Sequence, residues 1–148
     1  MSTSLRSAAR GDWAQFWPLL AEMGVPDQEQ DCLERFEVTV EDPNWLVLVA
    51  ARGERLIGYA AVQDYGDHLR CGKRGRVARL HDLFVAPEER WTGVGRALMD
   101  EAVEWARGRV GYLQWQAHET RSAPFYERLG FRGQPCPQPD YPEFEVTF

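Results

Sequence analysis

The chain has 148 residues, a net charge of −6, 44% hydrophobic residues and 27% charged residues. This length suits one domain that buries its own core, so we expect a single domain over residues 1–148. The negative charge argues against a nucleic-acid interface, which requires a basic face, and no stretch approaches the ~20 apolar residues of a membrane span.

The termini and cysteines indicate the compartment. The N-terminus lacks the apolar segment of a signal peptide. The three cysteines are scattered and show neither a disulfide framework nor metal-ligand spacing. We therefore expect a reduced, cytoplasmic setting.

The first third of the chain is predicted to form a short strand, over residues 4–10, and two helices. Asp12 is a favourable N-cap for a helix that extends to Met23. Pro18 lies inside this helix and is expected to kink it or divide it in two. A second helix is predicted to end near Val40.

The stretch over residues 12–42 is strongly acidic. It contains nine carboxylates and one basic residue, Arg35, and so carries −8 of the chain's charge. The carboxylates are Asp12, Glu22, Asp27, Glu29, Asp31, Glu34, Glu37, Glu41 and Asp42. The stretch is either a solvated helical face that keeps the chain soluble or an acidic wall that attracts a cationic small molecule.

The middle of the chain is predicted to form a β-hairpin. Apolar runs over residues 45–51 and 56–62 flank a turn at Gly53-Glu54, which is typical of two antiparallel strands. A polar loop follows over residues 65–75. Five bases lie in it or just after it: Arg70, Lys73, Arg74, Arg76 and Arg79.

The last part of the chain alternates strands and helices. A strand over residues 80–85 and a turn over 86–92 lead into a helix over 93–108, whose apolar residues recur at helical spacing. A strand over 111–117, a short helix over 122–129, a strand from Phe131, a proline-rich connection and a final strand over 143–148 complete the chain. This order predicts an α/β protein with a mixed sheet and one long crossover helix.

The start of the long helix is predicted to bind an anion. Gly93 and Gly95 lie where unpaired N–H groups and the positive end of the helix dipole favour a phosphate. A dinucleotide-binding turn is excluded because Leu98 stands where a third glycine is required, and no Gly-Lys-Ser/Thr follows as in a nucleoside triphosphatase. A plain tight turn is the alternative.

The residues around this turn carry a resemblance to a known family. The run LHDLFVAPEERWTGVGRALM contains Val85-Ala86-Pro87 and then Arg90 to Gly95, and SAPFYERLGF follows from Ser122 to Phe131. Both segments are similar to signatures of the GNAT superfamily of N-acetyltransferases, of which the chain is identified as a member. The resemblance implies an α/β (α+β) fold with helices on both faces of a central mixed, mostly antiparallel sheet, in which two strands splay apart to admit the cofactor.

The resemblance also implies how acetyl-coenzyme A is bound. The main chain of Leu83, Phe84 and Val85 would pair with the pantetheine arm, and the amide of Phe84 or Val85 would stabilise the oxyanion. Arg90 occupies the Arg/Gln position of the motif. The amides that would hold the pyrophosphate belong to Trp91, Thr92, Gly93, Val94, Gly95 and Arg96, and Arg96 could add a direct contact.

The catalytic residues are predicted from the same resemblance. Tyr126 stands where family members place a general acid, which would protonate the leaving thiolate or hydrogen bond to it. His81 and Asp82 lie on the central strand, where some members carry the general base; we expect them to point to opposite faces, so that only one serves. Glu119 and Ser122 depart from the common Asn and Ala, so the pantetheine contact of the asparagine is in doubt.

A metal site is the alternative interpretation of several of these residues. The candidate ligands would be His81-Asp82, His68 and His118-Glu119, but their spacing matches no ligand pattern. We expect no metal. A core packing role for Tyr126 and a structural role for His81 are also open.

These observations predict an acetyl-coenzyme A-dependent N-acetyltransferase. Its acceptor would be a primary amine, in a cationic small molecule or peptide, which attacks directly in a ternary complex. The alternative is a non-catalytic sensor of acyl-coenzyme A or an assembly module with the same fold. The final strand, over residues 143–148, is apolar enough on one face to pair across a homodimer.

Overall fold

The computed structural model describes residues 2–148, which form six strands and four α-helices. The strands are β1 (Thr3–Ser7), β2 (Trp45–Arg52), β3 (Arg55–Asp64), β4 (Val77–Val85), β5 (Tyr112–Gln116) and β6 (Glu143–Thr147). The helices are α1 (Trp13–Met23), α2 (Glu29–Thr39), α3 (Val94–Arg107) and α4 (Ala123–Arg128). Over this described range, none of the helices has the length and apolarity needed to cross a membrane.

The six strands are hydrogen bonded in chain order. The pairs β1–β2, β2–β3 and β5–β6 are antiparallel, whereas β4 and β5 are parallel. A parallel pair needs a crossover connection, which α3 supplies. The predicted mixed, mostly antiparallel sheet with one long crossover helix is therefore confirmed.

The chain forms two compact units. The first comprises the described residues up to Gln63 together with His81–Ala102, and the second comprises Asp64–Leu80 and Val103–Phe148. Strand β4 and helix α3 each contribute residues to both units.

The core of the first unit lies under α1 and α2. Phe16 of α1 is buried with its ring centroid 4.7 Å from those of Phe36 in α2 and Tyr59 in β3. Val47 and Val49 of β2 belong to the same buried cluster. Apolar spacing along the two helices and alternation along the strands together produce this layer.

The core of the second unit is aromatic. Trp115 of β5 is 1% exposed and stacks on Phe144 of β6 with a centroid separation of 5.5 Å. Phe131 meets the edge of the same indole at 5.2 Å. This cluster holds α4 and β6 against β5.

Several predicted boundaries change in the structure. Pro18 does not divide α1, because the buried side chains on either side of it, Phe16 and Leu19, hold one continuous helix. The predicted first strand ends early, at Ser7, because Asp12 accepts the Ala9 N–H at 2.8 Å and closes a 3-10 turn over Arg10–Asp12.

The predicted strand from Phe131 is wrong. Only Gln134 bridges to Glu143, through two main-chain bonds of 2.7 and 2.8 Å. Strand β4 begins at Val77, earlier than predicted, because it pairs with Tyr112 of β5 there.

Candidate functional site

The turn before α3 has left-handed backbone at two positions, of which one is a glycine. Trp91 and Gly93 have φ angles of 68° and 90°, in the left-handed region that favours glycine. The Thr92 hydroxyl donates to the Glu89 carbonyl at 2.5 Å and closes the turn from inside. The chain then enters α3 at Val94.

The N-terminal amides of α3 lie ahead of the helical ladder. The Ala97 N–H donates to the Gly93 carbonyl at 3.1 Å, which is the bond that opens the helix. The N–H groups of Val94, Gly95 and Arg96 therefore precede it and need a partner outside the helix. A Cβ at Gly93 would meet no atom within 4 Å, so this open turn fits the pyrophosphate that the sequence assigned to it.

Strand β4 extends beyond its pairing with β5. Among the described residues, the parallel register ends at Arg79 and Gln114, while β4 continues to Val85. The residues after Arg79 on this edge include those predicted to pair with the pantetheine arm.

The direction of the main chain at the end of β4 can be read from one peptide. The Ala86 N–H donates to the Ile57 carbonyl of β3 at 2.8 Å. Because N–H and C=O point in opposite directions across a trans peptide, the Val85 carbonyl points away from β3. In an extended residue the N–H lies on the same side as the C=O, so the Val85 N–H also faces the edge away from β3.

This geometry separates the two candidate oxyanion donors. The Phe84 carbonyl faces β3, where a Cβ on Gly58 would approach it to 2.8 Å. The amide of extended Phe84 therefore also faces β3. Val85 is the residue whose amide is directed to the outer edge.

Arg90 lies against β4. Its Nε donates to the Val85 carbonyl at 3.1 Å, and its guanidinium carbon lies 5.6 Å from the centroid of Phe84. The motif arginine thus braces the end of the strand.

Strand β4 contains a bulge. The Tyr65 N–H donates to the Val77 carbonyl at 3.0 Å, and the Ala86 N–H donates to Ile57 at the other end. The chain advances nine residues from Val77 to Ala86 but only eight from Ile57 to Tyr65. One extra residue on β4 interrupts the alternation of its side chains.

His81 and Asp82 consequently reach the same face. His81 Nε2 lies 3.0 Å from Gln63 Oε1, and Asp82 Oδ2 lies 3.1 Å from the hydroxyl of Tyr59. Tyr59 and Gln63 are four residues apart on β3 in unbroken register with β2, so they share a face. The expectation that His81 and Asp82 point to opposite faces is wrong, because the bulge was not visible in the sequence pattern.

Asp82 is the half-buried carboxylate of this pair. Burial raises its pKa, and the hydrogen bond from Tyr59 and the charge of His81 oppose that rise without cancelling it. A carboxylate with a raised pKa is a better proton acceptor than an exposed one.

His81 is exposed, and its ring contacts two neutral side chains, those of Gln63 and Trp45. Its ring stacks on Trp45 with a centroid distance of 5.2 Å and an interplanar angle of 21°. Together with the contact to Gln63, this stacking sets the plane of the imidazole.

Tyr59 is a site residue that the sequence did not indicate. It is 1% exposed and lies in an apolar strand, where a tyrosine looks like any core residue. Its hydroxyl is 3.1 Å from both Asp82 Oδ2 and Met23 Sδ. The only sequence signal is a phenol among aliphatic neighbours, which must find a polar partner when buried.

Tyr126 belongs to the second unit. It is 6% exposed, and its ring packs 5.3 Å from Trp115 and 5.5 Å from Phe144. Glu119 and Ser122, which depart from the family pattern, lie in the turn before α4. The Glu119 N–H donates to the Asp140 carbonyl at 2.8 Å, and the Ser122 N–H donates to the His118 carbonyl at 3.1 Å.

The acidic stretch forms ion pairs with one arginine inside it and two arginines that precede it. Arg6 binds Asp12 at 2.8 Å, and Arg35 binds Asp27 at 2.8 Å. Arg10 contacts two further carboxylates, Glu37 and Glu41. These three arginines reduce the negative charge of the nine carboxylates without cancelling it, so the stretch is a partly ion-paired acidic face.

Metal-binding groups are not clustered in the described part of the chain. There, no set of three or more His, Cys, Asp or Glu side chains is placed to hold an ion.

Comparison with known proteins gives the family. Residues 11–131 match the acetyltransferase (GNAT) family. Streptothricin acetyltransferase of Streptomyces lavendulae is 32% identical over 117 residues, covering 77% of this chain and 58% of that protein. Glucosamine 6-phosphate N-acetyltransferase of Trypanosoma brucei brucei is 33% identical over 78 residues, covering 53% of this chain and 52% of that protein.

Solved structures share the fold. PaiA N-acetyltransferase from Thermoplasma acidophilum, in complex with coenzyme A, aligns over 100% of both chains with a TM-score of 0.71 and 16% identity. The chain spans between 27% and 58% of the length of the curated relatives that it matches.

The six-stranded mixed sheet with its crossover helix is the fold that this chain shares with those structures. The chain belongs to the acetyltransferase (GNAT) family, as its sequence predicted.

Proposed function

We propose that this chain transfers an acetyl group from acetyl-coenzyme A to a primary amine by direct attack in a ternary complex. The observation that carries the proposal is the open turn ahead of α3, where the amides of Val94, Gly95 and Arg96 precede the helical ladder. Family membership supports the same cosubstrate.

The cosubstrate would be held by main-chain groups. Amides of the 91–96 turn would bind the pyrophosphate, and the outer edge of β4 at Leu83 and Val85 would pair with the pantetheine arm. Acetyl-coenzyme A supplies an activated acetyl thioester. Of the two predicted donors, Val85 is the one we assign to the oxyanion, since its N–H faces the outer edge.

Asp82 is the residue that we assign as the general base. An ammonium with a pKa near 10 must lose a proton before it attacks. Asp82 is half-buried with a raised pKa, and His81 beside it on the same face can carry a proton between the carboxylate and solvent.

We assign Tyr126 as the general acid because of its position in the family motif. A phenol can protonate a leaving thiolate or hydrogen bond to it. Its aromatic neighbours Trp115 and Phe144 would hold the ring in place.

The acceptor is proposed to be a small amine, with a preference for cations. Two relatives are named for glucosamine 6-phosphate and streptothricin. The carboxylates of residues 12–42 still outnumber Arg6, Arg10 and Arg35, so a negative field remains on this side of the first unit.

Thiol release with a panel of polyamines, aminoglycosides, amino sugars, amino acids and peptides tests this function. We expect turnover on at least one amine and a loss of about 10²–10⁴ in kcat for Asp82→Asn. Turnover confined to neutral or anionic acceptors would contradict the proposed preference for cationic acceptors. Binding of acetyl-coenzyme A by calorimetry, without turnover on any acceptor, would instead support the non-catalytic sensor.

A homodimer through β6 is proposed separately. β6 pairs with β5 on one side, and Gln134 bonds to Glu143 at one end of its other side. The rest of that edge offers main-chain groups to a second copy. Light scattering after size exclusion should give twice the chain mass of 17.0 kDa; the mass of one chain would contradict the dimer.

A further inference from the structure

We infer that Tyr59 and Met23 form a hydrogen-bond switch that lets Asp82 gain and lose a proton while staying half-buried. Tyr59 is a positioning residue here, because it acts through Asp82. The inference rests on the proposed function only in taking Asp82 as the general base.

The geometry places one hydroxyl between two acceptors. Tyr59 Oη is 3.1 Å from Asp82 Oδ2 on β4 and 3.1 Å from Met23 Sδ at the end of α1. A phenol has one proton, so Tyr59 donates to only one of them at a time. Burial, with the charge of Asp82, raises the pKa of Tyr59 above its usual range, so the phenol keeps this proton throughout.

Each protonation state of Asp82 has its own pattern of bonds. When Asp82 is ionised, Tyr59 donates to the carboxylate. When Asp82 takes a proton, its new O–H donates to Tyr59 Oη, and the phenol proton rotates to Met23 Sδ. No buried hydrogen is left without an acceptor in either state, which avoids the cost of an unsatisfied polar group.

Among the described residues, His81 is the charged group whose effect on Asp82 is resolved. His81 on its own strand stabilises the ionised form electrostatically. From β3, the titratable Tyr59 contacts Asp82, and the neutral thioether of Met23 in α1 contacts the other side of the Tyr59 hydroxyl. Removing the Tyr59 hydroxyl and removing the Met23 sulfur are therefore expected to shift the pKa of Asp82 in opposite directions.

The test measures the pKa of Asp82 by carboxyl ¹³C NMR in the free protein of residues 1–148. Tyr59→Phe keeps the ring but removes the donor to the carboxylate, so the pKa of Asp82 should rise by about one unit. Met23→Leu keeps the volume but removes the acceptor for the neutral state, so the pKa of Asp82 should fall by a few tenths of a unit. Tyr112→Phe and Met99→Leu, which make the same chemical changes elsewhere, should leave it unchanged.

Opposite shifts in the two variants would establish the switch. No shift in either variant, or shifts of the same sign, would overturn it. The readout needs no acceptor, so it separates this inference from the proposed function. If the shifts appear but Asp82→Asn leaves acetyl transfer intact, the switch stands and the base assignment fails.

Discussion

At the residue scale, the site depends on a few backbone and side-chain atoms whose surroundings differ sharply. Gly93 is exposed and has a φ of 90°, whereas Tyr59 is 1% exposed and its hydroxyl lies between Met23 of α1 and Asp82 of β4. Asp82 lies between these extremes, half-buried beside an exposed His81. Open backbone suits anion binding, and partial burial suits proton transfer.

Gly93→Glu should abolish measurable binding of coenzyme A. A carboxylate would stand where the amides and the helix dipole favour an anion, and an L-residue is strained at this φ. Calorimetry measures the affinity. Gly24→Glu is the matched control, since Gly24 also has a positive φ, of 101°, and a Cβ there also meets no atom within 4 Å. Unchanged affinity in Gly93→Glu would overturn the phosphate site.

Tyr126→Phe should lower kcat by about 10²–10⁴ while leaving the affinity for acetyl-coenzyme A nearly unchanged. The variant keeps the ring that packs on Trp115 and removes only the acidic proton. Steady-state kinetics and calorimetry separate the two quantities, with Tyr65→Phe as control. Equal kcat in both variants would make Tyr126 a core residue, the other interpretation of its position.

At the scale of secondary-structure elements, an ion-pair cluster fastens the loop between β3 and β4. Asp64 ends β3 with its side chain fully buried, and Arg76 binds it through Nε at 2.8 Å and through a terminal nitrogen at 2.9 Å. Arg109 lies 3.6 Å from the same carboxylate, and the Gly66 N–H donates to it at 2.8 Å. One of the five clustered bases, Arg76, thus stabilises the fold together with Arg109, which follows α3.

Asp64→Asn should destabilise the chain by about 3 kcal/mol, because it leaves Arg76 without its buried counter-charge. Urea denaturation measures the free energy of unfolding. Asp67→Asn is the control: that carboxylate is 63% exposed and 3.5 Å from Arg76, so its loss should cost less than about 1 kcal/mol. Equal losses in the two variants would contradict the role of burial.

The same carboxylate predicts a pH dependence. Burial alone would raise the pKa of Asp64, but the hydrogen bonds from Arg76 and Gly66 and the charges of Arg76 and Arg109 lower it overall. Since the pKa is lower in the folded state than the unfolded value of about 3.9, the stabilisation is present above that value and is lost as the pH falls through the folded pKa. Denaturation midpoints measured from pH 6 to pH 2 should fall less steeply in Asp64→Asn than in the native chain.

At the scale of the whole molecule, two compact units share their elements. The chain passes between the units after Gln63, after Leu80 and after Ala102. The last two crossings fall inside β4 and α3, so a cut at either would break a strand or a helix. We therefore propose that residues 1–148 behave as one domain.

Thermal unfolding should show one cooperative transition. Far-ultraviolet circular dichroism and tryptophan fluorescence should give the same Tm, because α3 spans both units and tryptophans lie in each. Acetyl-coenzyme A at 100 times its Kd should stabilise the native state by about 2.7 kcal/mol. Two separate transitions would contradict the single-domain proposal.

The sequence by itself determined the family, the order of the elements apart from the strand predicted from Phe131, and the position of the turn that we propose binds an anion. Val85-Ala86-Pro87 and the glycines after Arg90 are local signals, since a turn and a helix start depend on residues close in the chain. The final strand and the crossover helix were recoverable for the same reason, through their periodicity.

Only the tertiary structure decided how the face proposed for catalysis is built. The bulge in β4 puts His81 and Asp82 on one side, and it is defined by hydrogen bonds to another strand, which no local pattern encodes. Tyr59 contacts both Asp82 and Met23, which belong to elements far apart in the chain, so these contacts arise from packing alone. The strand wrongly predicted from Phe131 failed because strand formation requires a partner, and Gln134 supplies only a single bridge to Glu143.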